Sequence, residues 1–258
     1  MRIRHIHGVI CLVLLSAPGC VTTEPPYIPL AKEVSQQIKS SNVVIVSTQH
    51  EIKADVEKSN VTTYTGGGLI PALIDVAIES SRSKSAEEDI KPIRDALMDF
   101  DMGKELQASL GTRLDSIPWL NVKKTEVLSD TKPDLVPSLL GFSSEDALVL
   151  ITPSYSLTSD FVTLKVESEV KVLPRAAHLR PSAEGKDSKK DQVTPLYKDV
   201  VTHIAPLVTG ASDTKAAAAE WSKDGGAVIK QAMKQSVDSI ADKIVGSLTN
   251  PDSPAAGQ

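Results

Sequence analysis

Val162-Thr163-Leu164-Lys165-Val166-Glu167-Ser168-Glu169-Val170-Lys171-Val172 is the stretch that decides the fold. Val162, Leu164, Val166, Val170 and Val172 fall on one side of a period of two, and Thr163, Lys165, Glu167, Glu169 and Lys171 on the other. Successive side chains of a strand point to opposite faces, so this pattern predicts one apolar and one wet face, as antiparallel pairing permits. The apolar run from Ala147 to Thr152 supplies a partner strand, with Leu157 to Asp160 as the turn. Downstream, Pro174 to Pro195 is polar and Lys-rich (Lys186, Lys189, Lys190) without apolar period, and is expected to be a mobile connection. Leu196 to Ile204 reads as the last strand.

Helical signals flank these strands. Asp213 is placed to cap a terminal helix in which Trp221, Ile229, Met233, Val237, Ile240, Ile244 and Leu248 recur at helical spacing. Gly225-Gly226 is expected to kink that helix, and Asn250-Pro251 to stop it. Towards the N-terminus, Asn42 to Ser47 is a β-branched run short enough for a buried strand. Gly66-Gly67-Gly68 opens an apolar helix from Leu69 to Ile78, with Pro71 in its first turn. Ser85 with Glu88 forms a capping box before Ile90, Ile93 and Leu97. Asp101 caps a further helix carrying Leu106, Leu110 and Leu114. Trp119 to Val122 reads as a short strand after Pro118, and Leu135 to Leu140 as a brief helix. The sum is an α/β fold, a mixed sheet of about five strands with packed helices and an amphipathic C-terminal helix.

The 258 residues carry 28 basic and 33 acidic side chains, a charge of −5, and only nine aromatics. A net negative chain without a basic cluster repels phosphate polyanions, and few rings leave no stacking platform, so nucleic acid is excluded as a partner. At the N-terminus, Arg2 and Arg4 precede the apolar run Gly8 to Leu15 and the small residues Ser16-Ala17-Pro18-Gly19. This is the layout of a secretory signal over residues 1–19, and its apolar run is shorter than the about 20 residues a spanning helix needs.

Ala17-Pro18-Gly19-Cys20 resembles a bacterial lipobox, although Ala17 stands where Leu is usual. The resemblance implies cleavage before Cys20 and acylation of its thiol, palmitate included. Val21 in the next place implies sorting to the outer membrane, with the protein on its periplasmic face. Cys11 leaves with the signal, so Cys20 would be the only thiol and no intramolecular disulfide could form. Losing Arg2 and Arg4 leaves 26 basic residues against 33 acidic, a charge of −7, so the anchor would be lipid and not charge. Residues 20–41, with Pro25, Pro26 and Pro29, are expected to form the lipidated tether, residues 42–249 one domain, and residues 250–258 a disordered tail.

The element order is similar to the curli secretion lipoprotein family and to the N-terminal domain of the Tol-system propeller protein. Uncharacterised Gram-negative lipoproteins resemble the chain more directly in Gly66-Gly67-Gly68-Leu69-Ile70, Ile93-Arg94-Asp95-Ala96-Leu97 and the Trp-containing final helix.

Chemistry is sparse. His50, His178 and His203 form no zinc spacing, so no metal or other cofactor is expected, although His50 and His203 fall near strand ends that could approach. No Gly-x-Ser-x-Gly elbow occurs. The three glycines at 66–68 lack the Lys-Ser/Thr of a phosphate loop. No catalytic residue is assigned. Tyr197 and Trp221 are the candidate interface residues, read as packing together at the seam between sheet and terminal helix. The expectation is a non-enzymatic lipoprotein held to the membrane through Cys20, serving envelope assembly, secretion or maintenance by contacts with envelope proteins. A homo-oligomer, a curli-type secretion channel using Val162 to Val172, and an enzyme acting on cell wall or polysaccharide stay open.

Overall fold

The computed structural model describes residues 27–55, 86–129, 135–141, 144–180, 193–207 and 210–252. The signal, Cys20, the helix expected from Leu69 to Ile78 with its glycines, the Ser85 cap, residues 181–192 of the connection and residues 253–258 lie outside them.

The described elements run α1 (Lys32–Ser35), β1 (Ser41–Val46), β2 (Lys53–Ala54), α2 (86–96), α3 (Met102–Leu110), β3 (Val122–Leu128), α4 (Leu135–Gly141), β4 (Ala147–Leu157), β5 (Thr163–Pro174), β6 (Tyr197–Pro206), α5 (Thr214–Trp221) and α6 (Lys223–Thr249). The strands form one six-stranded mixed sheet in the order β3-β1-β4-β5-β6, with β2 also on β4. β1 is parallel to β3 and β4, whereas β4-β5 and β5-β6 are antiparallel. Among the described residues no helix is long and apolar enough to cross a membrane.

The alternation in β5 is used as its period requires. Leu164, Val166, Val170 and Val172 are fully buried, and Ser168 joins them on the same face. Over this face lie α3 and α6. Ile229, Met233, Val237, Ile240, Ile244 and Leu248 bury the inner stripe of α6 at the three- and four-residue spacing that puts side chains on one helix face. Asp101 caps α3 by accepting from Lys104 N at 3.0 Å, and Asp213 caps α5 by accepting from Ala216 N at 2.8 Å.

The central strand β4 is longer than either neighbour in its parallel lane. β1 pairs with it from Ala147 to Ile151 and β2 only at Ser156 and Leu157, leaving Pro153, which has no N–H to offer, in the gap. Gln49 fills part of that gap with its side-chain amide. Its Oε1 accepts from Tyr155 N at 3.0 Å and its Nε2 donates to Tyr155 O at 2.6 Å, so one amide stands in for a missing peptide.

Three expectations are corrected. Trp119 and Leu120 belong to a turn, and the strand starts at Val122, because Asn121 takes a left-handed backbone (φ 42) that breaks extension. Residues 27–41, expected to belong to a tether, are part of the fold. Ile28 bridges to Lys198, Leu30 N donates to Pro251 O at 2.9 Å, and Leu30 and Ile38 are buried, so the apolar residues beside and after Pro29 are drawn onto the core. The connection after β5 is ordered at its start as well, since Arg175 and Leu179 are buried.

Among the described residues, the second face of the sheet is covered at one end only. There α4 lays Val136, Leu139 and Leu140 over Val44, Val46, Leu148, Leu150 and Leu173. Beyond α4, β5 and β6 carry ion pairs on this face. Lys165 meets Glu167 at 2.9 Å, Lys171 meets Glu169 at 2.8 Å, and Lys198 meets Glu169 at 3.2 Å.

Candidate functional site

Where α4 ends, the second face opens into a cleft of about 500 Å³ lined by Asn42, Lys123, Lys124, Glu126, Ser138, Leu139, Ser144, Glu145 and Arg175. The strand ends bring these together. Asn42 is in β1, Lys123, Lys124 and Glu126 are in β3, and Glu145 and Arg175 flank the paired ends of β4 and β5. The Arg175 backbone is fixed by donation from its N–H to Asp146 O at 2.8 Å, and its side chain is only 5% exposed. Its Nη2 donates to Leu139 O near the end of α4, where carbonyls lack helical partners. Nη1 lies 3.5 Å from Glu145 Oε2, yet neither Nε nor Nη1 has a hydrogen-bond acceptor among the described residues. Each buried donor left so costs about 1–3 kcal/mol. Burial lowers the guanidinium pKa from its ordinary value, with the Glu145 carboxylate opposing.

The two carboxylates at the cleft are already engaged. Glu126 pairs with Lys124 at 2.5 Å, and Glu145 accepts from Asn42 Nδ2 at 3.1 Å. Among the described residues, three cations against two carboxylates make this a locally positive spot. Sequence reasoning missed it, because Lys123-Lys124 is an ordinary strand pair and Arg175 follows a proline in what reads as a loop.

A second polar cluster is sealed inside. Asp199 is fully buried, and its Oδ2 accepts from Tyr197 OH at 3.2 Å and from Ser247 Oγ at 2.8 Å, while its Oδ1 accepts from Val200 N. Tyr197 OH also bonds Ser247 Oγ, and burial raises the phenol pKa above its ordinary value. Tyr27 meets the Tyr197 ring edge-on at 6.2 Å. The cluster ties β6 to the C-terminal turn of α6 beside the N-terminal segment. It closes off the groups that would look most like an acid/base site.

Tyr197 and Trp221 do not pack together. Tyr197 lies across from Val172, near the end of β5, whereas Trp221 donates from Nε1 to Phe161 O at 2.6 Å, two residues before β5 begins. At about 3.3 Å per residue these sites are roughly 35 Å apart along the strand. Both are buried in the core, so neither offers a face at the surface of the chain.

His50 is exposed in the segment after β1, His178 is exposed in the turn Ala177–Leu179, and His203 is on β6 opposite Val166. Gln49, next to His50, is bonded to β4, and β5 lies between β4 and β6, so the two strand-end histidines are held in different lanes. Among the described residues no group of three His, Cys, Asp or Glu is arranged to hold a metal ion.

His203 has a pKa below the ordinary imidazole value, first through burial and then through the Lys243 ammonium on α6. The unfolded chain therefore binds a proton that the folded chain resists, and stability rises with pH across this window. It should be intact above about pH 7 and fall as pH drops through about 6.5. Denaturation midpoints at about pH 7.5 and pH 5 should draw closer in His203→Asn. An unchanged difference would remove His203 as a source of the dependence.

No family model matches the chain, and no curated protein does. The hypothetical protein CT253 from Chlamydia trachomatis is similar in structure at a TM-score of 0.30 and 12% identity, with 80% of this chain and 98% of that one covered. The PelC dodecamer from Paraburkholderia phytofirmans is similar at a TM-score of 0.28 and 7% identity, covering 82% of this chain and 87% of PelC. A point variant of the same PelC, also a dodecamer, gives 0.25 and 8%, covering 83% and 91%.

Proposed function

We propose that this chain is a lipoprotein anchored through Cys20 to the periplasmic face of the outer membrane, acting by protein contacts and not by catalysis. The observation that carries this reading is Cys20 itself, behind a basic, apolar and small-residue leader and followed by Val21. The position of Tyr27 supports it. Only six residues lie between Cys20 and Tyr27, which donates its hydroxyl to Pro251 O at 3.1 Å. At most about 25 Å of chain then lies between the acyl group and the domain, so this edge stays near the membrane. Several acyl chains, at about 0.8 kcal/mol per buried CH₂, hold it there without help from charge.

Partners of complementary charge would meet the open part of the second sheet face, where Lys165, Glu167 and Lys171 stand half-buried and Ile204 is 59% exposed. The channel alternative asks the apolar face of β5 to meet lipid, but that face is spent on the core beneath α6. The enzyme alternative gains little from Asp199, which is bonded and sealed.

The test is metabolic labelling with palmitate and fractionation of wild type and Cys20→Ser. Wild type should carry label and sediment with outer membrane. Cys20→Ser should lose all label and move to the soluble periplasmic fraction. An unlabelled wild type, or a Cys20→Ser that stays on the membrane, would overturn the anchor.

A further inference from the structure

The cleft between α4 and the β1-β3 edge has what an anion site requires and nothing in the described structure that uses it. We propose that it binds a small ligand through one oxyanion group, a carboxylate or a phosphate, whose charge is met by Arg175 with Lys123 and Lys124 at the mouth.

Arg175 carries the argument. An arginine is charged at any physiological pH and offers five N–H donors, so a buried one is normally surrounded by acceptors. Here one nitrogen is used on Leu139 O, while among the described residues Nε and Nη1 have no acceptor and the nearest carboxylate stands off at 3.5 Å. The side chain is buried in the wall of the cleft and not folded into the aliphatic core. Glu145 forms the partition beside it, held by Asn42 Nδ2 at 3.1 Å. An oxyanion entering the cleft would compete with Glu145 for the guanidinium and supply the acceptors it lacks. Lys124 is mostly exposed and bound to Glu126, and Lys123 donates to Asn121 Oδ1 at 3.1 Å, so both can turn toward a ligand at little cost. The volume of about 500 Å³ falls in the range of small-ligand sites and exceeds what a lone ion needs.

The proposal is independent of the membrane anchor. It is tested on the full chain carrying Cys20→Ser, isotopically labelled and titrated with sodium acetate, sodium phosphate and sodium chloride at matched ionic strength, following the arginine Nε–H resonances by NMR. Acetate or phosphate should shift the Arg175 signal saturably at millimolar concentration, and whichever binds more tightly names the oxyanion. Chloride should not shift it. The double variant Lys123→Ala/Lys124→Ala, which touches only surface side chains, should weaken binding by about fivefold. Glu145→Gln keeps the shape and removes the competing charge, so it should tighten binding by about tenfold. Arg175→Gln removes the reporter and should abolish the shifts that the ligand causes in the backbone amides of Lys123 and Lys124, and a purely structural role for Arg175 would not produce the opposite responses of the lysine and glutamate variants. An Arg175 signal that does not move, that moves equally with chloride, or that titrates unchanged in the lysine and glutamate variants would overturn the site.

Discussion

Trp221→Ala should cost about 3–5 kcal/mol from the lost ring and the cavity it leaves, with a further part from a carbonyl stripped of its donor. Trp221 is 1% exposed at the C-terminal end of α5, and its Nε1 donates to Phe161 O at 2.6 Å. Phe161 is itself buried and held at φ 60, a left-handed backbone that a bulky residue adopts only under constraint. The corner it forms joins β4 to β5 and is closed by Phe161 N to Thr158 O and Thr158 N to Thr163 O, both 2.9 Å. Asp160 assists by accepting from Thr158 Oγ1 at 2.6 Å and Val162 N at 3.2 Å, and these bonds hold its carboxyl below the usual carboxylate range. Removing Trp221 therefore opens a hole and also releases the corner that sets the register of the longest strand pair. Domains of this kind have about 5–15 kcal/mol in total, so the variant should unfold at far lower urea. Trp221→Phe, which keeps most of the ring but no donor, should cost about 1–3 kcal/mol. Equal midpoints for Trp221→Ala and wild type would show that this contact is dispensable.

Gly226→Ala should be nearly as damaging, at about 4 kcal/mol, from two separate causes. Gly226 has φ 82, a left-handed conformation that costs a side chain about 1–3 kcal/mol. A Cβ there would also stand 2.3 Å from the Cβ of Ala96 in α2, closer than two carbons can come. Gly225 is a built-in control. It has φ 68 but open space around it, so Gly225→Ala should show the backbone cost alone, about 1–2 kcal/mol. Urea midpoints of the two variants separate the causes. If both lose the same amount, α2 and α6 are not in the close contact that the geometry of Gly226 implies.

Much of the secondary structure is legible from neighbouring residues alone. The alternation at Val162 to Val172, the caps at Asp101 and Asp213, the break at Gly225-Gly226 and the inner stripe of α6 are all local patterns, and each appears where its chemistry puts it. The misreadings are local patterns as well. Three prolines between residues 25 and 29 look like tether, and Pro174 followed by Arg175 looks like the start of a loop. In each case a nonlocal partner decides otherwise, Pro251 and Lys198 for the first, Asp146 and Leu139 for the second. The same reason parts Tyr197 from Trp221. They are 24 residues apart and look like neighbours, but strand register sends one to the far end of β5 and the other to its beginning.

The candidate site was the least legible part. Arg175 and Leu139 are 36 residues apart and Asn42 and Glu145 are 103 apart, so no window of sequence contains the cleft. The sequence by itself determined most of the strands and helices among the described residues and which face of each is apolar, because periodicity and capping are properties of adjacent residues. Tertiary structure alone decided how the strands are ordered, which aromatics are sealed and where, among the described residues, a buried guanidinium lacks acceptors. Those depend on pairing across the sheet, where free energy is gained only when distant segments meet.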